Sequence, residues 1–170
     1  MGFYQRLTFA SFFEGFGSTD TRWFAEVTEK IRDHALAQNM SVRRIYTAAF
    51  ASDPQTWRSG APVPAALRKP GFAWDGDKAD IIHALNGGTS LIFHRDHGGG
   101  SGWGDPNFTT ADLFQVSVSN NQYPVVFSIN CASGIFDNET VNLPGHIVGS
   151  GLNVLPAMTY WAESFVRKAD

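Results

Sequence analysis

Apolar residues change their spacing several times along this chain, and each change predicts an element. The stretch FYQRLTFASFF (3–13) is dense in aromatic residues and reads as a strand. GFGSTD breaks it, and Thr19 or Asp20 is placed to cap the next element. From Trp23 to Gln38 the apolar positions Phe24, Val27, Ile31 and Leu36 recur near a 3.6-residue period, which predicts a helix ending at Asn39. SVRRIYTAAF (41–50) reads as a second strand. Pro54, Pro62, Pro64 and Pro70, interleaved with Trp57, Phe72 and Trp74, predict a long ordered surface loop over 51–77.

DKADIIHALNGG (77–88) reads as a helix with Asp77 at its start and a glycine pair at its stop. TSLIFH (89–94) and YPVVFSIN (123–130) are short, nearly continuous apolar runs, the pattern of strands buried on both faces of a parallel sheet. TTADLFQVS (109–117) predicts a capped short helix between them, and LPAMTYWAESFVRKA (155–169) an amphipathic one opening at Pro156. Strands alternating with helices imply an α/β fold, with a mainly parallel sheet flanked by helices on both faces. In such sheets ligands bind beyond the carboxyl ends of the strands.

Composition narrows the classes. A chain of 170 residues supports one domain with a sizeable core. Net charge is −3 with dispersed basic residues, so no electrostatic footprint for nucleic acid is visible. No apolar run approaches the roughly 18 residues of a membrane span. No signal peptide is visible in MGFYQRLTFASFF, which lacks the charged and apolar regions of one. A single cysteine, Cys131, excludes an internal disulfide and any zinc site built on two thiolates.

The chemistry-bearing residues gather at two strand ends. One apolar run terminates in HRDHGGGSGWGDP and the other in INCASG. If those strands are neighbours, His97 and Cys131 emerge at one edge of the sheet, as nucleophilic catalysis by a thiol requires. The backbone N–H groups of Gly98 and Cys131 are then the natural donors to a developing oxyanion. Against this stands the ordinary reading of Cys131 as a small buried hydrophobe ending a strand. A second chemistry is also open: His94, Asp96 and His97 of HRDH resemble a clustered metal-ligand run of metallohydrolases, although Ile92 stands where that run begins with histidine.

HGGGSGWGDPNFTTADL followed by PVVFSINCASGIFDNE resembles the catalytic core of gingipain-type cysteine peptidases. YWAESFVRKA resembles that family's helix after the cysteine, and DTRWFAEVTEKIRDHALAQNMSVRRIYTA its first helix and second strand. The likeness covers most of the chain. It implies a caspase-like fold, His97 as catalytic histidine, Cys131 as nucleophile, and hydrolysis of polypeptide substrates through a thioester. Asp75, Asp77 and Asp105 are candidates by type to orient the histidine, and Trp74 and Trp103 to line a substrate cleft. Catalysis of this kind needs no cofactor, structural calcium is admitted, and relatives are secreted or on the cell surface. The family's last helix is followed by a further strand and loops. This sequence ends at VRKAD, so a single domain 1–170 without them is expected, and a catalytically inactive binding module of the same fold is the alternative.

Overall fold

Four parallel strands form the sheet on which the candidate site is built: β1 (Arg6–Phe13), β2 (Ser41–Ala48), β3 (Leu91–Arg95) and β7 (Val125–Ile129), in the order β2-β1-β3-β7. The computed structural model describes residues 2–117, 122–134 and 161–167. The strand expected from residue 3 begins at Arg6, because Phe3–Gln5 close a 3-10 turn. The two apolar runs, whose adjacency the sequence left open, do pair, Leu91 level with Val125 and Arg95 with Ile129.

Helix α1 (Phe24–Ala37) lies on one face of the sheet. There Phe9, Phe93 and Tyr46 pack with Ala25 and Ala35, and with Trp57, Leu67 and Trp74 from the proline-rich loop. That loop is ordered, as its aromatic residues suggest, since they help to build this core. The opposite face is covered by α2 (Lys78–Asn86), α3 (Thr110–Leu113) and α4 (Trp161–Arg167). Ala10, Ile45 and Ile92 meet Ile81, Leu85, Leu113 and Trp161 there. The part of the expected last helix before Trp161 lies outside the described residues. A mainly parallel sheet with helices on both faces is therefore what forms.

Two details depart from the periodicity. Ile31 and Leu36 of α1 remain 37% and 40% exposed, while Glu26, Thr28 and Glu29 are buried. Polar partners explain this: Thr28 Oγ1 meets Ser11 Oγ and Glu29 accepts from Arg44 and the Tyr46 hydroxyl on the sheet, while Glu26 accepts from Lys30 and from the Ser59 N–H. The segment after β3 is also more structured than a glycine loop. Here β4 (Gly98–Gly99), β5 (Gly102–Trp103) and β6 (Phe108–Thr109) form a small antiparallel sheet that folds back under the first.

Candidate active site

The order β2-β1-β3-β7 means that the chain leaves β1 towards one side for β2 and returns to its other side for β3. The crevice between β1 and β3, beyond their carboxyl ends, is thus the topological switch point where open α/β sheets bind ligands. Three residues stand at this edge on three adjacent strands: Glu14 follows β1, His97 follows β3, and Cys131 follows β7. Arg95 is level with Ser11 on one side and Ile129 on the other. His97 and Cys131 each follow that last pair by two residues, so both lie beyond the same edge of the sheet.

His97 Nε2 lies 2.7 Å from Glu14 Oε2, and the imidazole is about half exposed. Phe24 meets the ring edge-on at 5.2 Å, which limits its rotation. Glu14 Oε2 also accepts from Arg22 Nε at 3.1 Å. Burial pulls the Glu14 carboxyl upward, but the hydrogen bonds and charges of His97 and Arg22 hold it below the ordinary glutamate value. The carboxylate is thus ionised at neutral pH and takes the proton on Nε2, leaving Nδ1 as the ring's free acceptor. Gly15 lets the chain turn away directly after Glu14, because a Cβ there would run into the Thr19 carbonyl.

The segment His97–Gly98 is held from below. The Asp96 carboxylate is buried and accepts the Asp105 N–H across the small sheet. Burial raises Asp96 to about 6, only partly opposed by the backbone N–H groups of His97 and Asp105. Gly104 N–H donates to the His97 carbonyl at 2.9 Å. Gly98 and Trp103 are therefore a non-hydrogen-bonded pair, which leaves the Gly98 N–H outside the ladder. On the neighbouring strand Cys131 is a free, exposed thiol, and Ala132 beyond it turns the chain with φ +55. The first amides of α4 brace both segments, Trp161 N–H on the Gly100 carbonyl and Ala162 N–H on that of Ser133, each at 2.9 Å.

The other expected residues lie elsewhere. Asp77 caps α2, its carboxylate accepting the Asp80 N–H at 3.0 Å in a reciprocal capping box, and Asp75 bridges to Thr47. Neither is hydrogen-bonded to His97, so the carboxylate that orients the ring is Glu14 instead. Asp77→Ala is accordingly expected to cost about 1 kcal/mol of stability by loss of the cap. It should leave the rate of Cys131 alkylation unchanged; a slower thiol would return Asp77 to the site.

Trp74 and Trp103 are buried at 4% and 2% exposure, each packed into a core. Trp74 donates from Nε1 to the Leu67 carbonyl within the α1-side core. Trp103 is folded inward by the 98–103 hairpin. It stacks on His94 with centroids 4.1 Å apart and donates to Ser128 Oγ at 2.9 Å. With His94 in that stack, Asp96 on its backbone donors and His97 on Glu14, the HRDH residues do not converge on a point. Among the described residues no group of three or more His, Cys, Asp and Glu is placed to hold a metal ion.

Glu14 escaped the sequence reading. Its signal was present, since FFEG puts a carboxylate at the first polar position beyond an apolar strand. What makes it relevant is that β1 lies beside β3, across a long stretch of intervening chain.

Known proteins bear on the same geometry. Gingipain R2 of Porphyromonas gingivalis (strain ATCC 33277) is 39% identical over 57 residues, a stretch that takes in 34% of this chain and 8% of that protein. Gingipain R1 of Porphyromonas gingivalis is likewise 39% identical over 57 residues, covering 6% of its length. The chain thus spans a small part of the relatives it matches. Its structure resembles that of the Arg-specific cysteine proteinase gingipain R (RgpB) with a TM-score of 0.59, at 20% identity over 95% of this chain and 28% of that one. A complex of the RgpB pro- and mature domains of Porphyromonas gingivalis aligns at a TM-score of 0.53 and 21% identity, over 78% of this chain and 25% of that one. These likenesses show the caspase-like fold. The family model for peptidase family C25 matches residues 4–167, and the chain therefore belongs to that family of cysteine peptidases.

Proposed function

We propose that this chain hydrolyses peptide bonds with Cys131 as nucleophile, His97 as general acid and base, and Glu14 as the residue that orients and charges the imidazole. The observation that carries this reading is the alignment of these three residues on adjacent strand ends at the switch point, with His97 Nε2 already engaged by Glu14.

His97 Nδ1 takes the Cys131 proton, and Glu14 stabilises the resulting imidazolium through Nε2. The Sγ thiolate attacks the substrate carbonyl carbon, and the carbonyl electron pair moves onto oxygen. The N–H groups of Gly98 and Cys131 receive that oxyanion. Collapse of the tetrahedral adduct breaks the C–N bond, and Nδ1 returns its proton to the departing amine. The acyl group remains as a thioester on Cys131. Water, deprotonated by the same nitrogen, then releases the carboxylic acid and regenerates the thiol. Polypeptide is the substrate class, and by family likeness alone the proposed location is secreted or cell-surface. No helix among the described residues is long and apolar enough to cross a membrane.

The test is the rate of Cys131 alkylation by iodoacetamide against pH, in the wild type and in His97→Ala. An ordinary thiol, with a pKa of about 8.5, is almost wholly protonated at pH 6. The wild type is expected to react at that pH about tenfold faster than His97→Ala or more, the two converging above about pH 9. A thiol indifferent to His97 would overturn the catalytic reading in favour of a binding module of the same fold.

A further inference from the structure

Beneath the two strand ends lies a linked set of polar side chains that the proposed mechanism does not use. Asn130, the residue before Cys131, is at its centre. Its Nδ2 group donates to His94 Nδ1 and to Ser128 Oγ, each at 3.0 Å, and its Oδ1 accepts from Ser133 Oγ. Ser128 and Ser133 are joined at 3.1 Å, and Ser128 also takes the Trp103 N–H. His94 is fully buried and flat against Trp103, with ring planes 1° apart. Burial holds this imidazole down to about 3, opposed by the Asp105 backbone, so it stays neutral and its Nδ1 lone pair is available to Asn130. Both polar atoms of the Asn130 amide are thus committed, and the side chain has one orientation.

The face of that amide is in use as well. A Cβ built on Gly98 would lie 2.6 Å from Asn130 Cγ and 2.9 Å from both Nδ2 and Oδ1. Gly98 does not have a positive φ, so the backbone itself would accept alanine; the neighbouring amide is what demands glycine. The contact joins the segments that follow β3 and β7, beyond the end of their hydrogen-bonded ladder. Beyond Arg95 and Ile129, this packed amide is one of the described contacts between the two segments.

We infer that Asn130 is a positioning residue: its immobilised amide is the spacer that fixes His97 and Gly98 on one strand end at working distance from Cys131 on the other. The inference rests on the catalytic reading above. It gives His94 a supporting part, holding the spacer, rather than a part in the chemistry.

The readout is the ratio of Cys131 alkylation rates with and without His97 at pH 6, measured with iodoacetamide on the full chain. In Asn130→Ala the ratio is expected to fall about tenfold, with the alkaline limb unchanged because the thiol remains exposed. Gly98→Ala is expected to produce a similar loss by pushing the strand ends apart. Placed in the Asn130→Ala background, Gly98→Ala should cost nothing further, because the atoms it collides with are gone; the two residues are coupled rather than additive. Ser133→Ala, which removes the hydrogen bonds of its hydroxyl to Asn130 Oδ1 and Ser128 Oγ but no backbone contact, gives a milder variant with about a threefold loss. Thermal melts of each variant confirm that the folded chain is being read. Additive losses from Gly98→Ala and Asn130→Ala, or a wild-type profile in Asn130→Ala and Ser133→Ala, would overturn the spacer. A wild-type thiol that ignores His97 overturns the catalytic reading and the spacer with it, whereas a His97-dependent wild type with an unaltered Asn130→Ala profile overturns the spacer alone.

Discussion

Glu14→Gln is expected to lower the kcat/KM of the proposed peptidase by about 10²–10³-fold with little change in KM. Glutamine has nearly the volume of glutamate, and its Oε1 still accepts the Nε2 proton of His97, so the ring keeps its place. What disappears is the negative charge 2.7 Å from the imidazole, which in the proposed mechanism becomes an imidazolium as Cys131 gives up its proton. In the serine-protease triad the corresponding charge-removing change costs about 10⁴-fold. Here the imidazole is half exposed and Arg22 shares Oε2, so water and a competing cation screen the carboxylate, and a smaller loss is expected. The effect falls on kcat because the imidazolium belongs to the reacting state and not to the bound substrate. Alkylation supplies a second readout: the reactivity of Cys131 at pH 6 should drop towards that of His97→Ala. A variant with both properties intact would reduce Glu14 to a structural contact. Since the Glu14 carboxyl lies below its ordinary value, this contribution is fully present above about pH 4.5. It is lost as the pH falls through the depressed value.

The second large effect is on stability. Glu29→Ala is expected to destabilise the chain by about 3 kcal/mol, at the lower end of the range for breaking a buried ion pair. Glu29 projects from α1 onto the sheet and takes both Nε and Nη2 of Arg44, at 2.8 and 2.6 Å, with the Tyr46 hydroxyl at 2.6 Å. Despite burial, Arg44 is held above the usual guanidinium value by this carboxylate, and Tyr46 is raised by burial and by the same charge. Removing it strands a largely buried cation and a buried hydroxyl together. Arg44 keeps some access to solvent, which limits the loss. In a chain of this size the melting temperature should fall by roughly 6–12 °C. Replacing both charges with methionine should recover part of that, because the unpaired cation is then gone while the Tyr46 hydroxyl still lacks its acceptor. A loss below about 1 kcal/mol in Glu29→Ala would show that Arg44 finds water instead.

That cluster also marks a limit of periodicity. Val27, Ile31 and Leu36 trace an apolar stripe on α1, yet the helix turns its Ala25, Thr28 and Glu29 side to the sheet. Arg44 and Tyr46 on β2 are satisfied only if Glu29 faces inward, and the desolvation cost of leaving them unpaired outweighs the burial of two aliphatic side chains. No pattern within the helix carries that information.

Element types were legible because they depend on neighbours in sequence. Continuous apolar runs at 89–94 and 123–130 announced parallel strands, Asp77 and the Gly87-Gly88 pair bounded α2, and the polar residues beyond two strands located His97 and Cys131. Trp74 and Trp103 misled for a complementary reason: a tryptophan near a glycine loop is equally suited to a cleft or a core. The 98–103 hairpin decided for the core by folding Trp103 onto His94. Order along the chain was therefore enough for the fold class, for the family by resemblance, and for placing His97 and Cys131 beyond the ends of two strands that prove to be neighbours. It took the folded sheet to bring Glu14 to His97 and to pack the Asn130 amide against Gly98. Strand order and side-chain packing are set by burial and hydrogen-bond satisfaction summed over the whole chain, which no local spacing encodes.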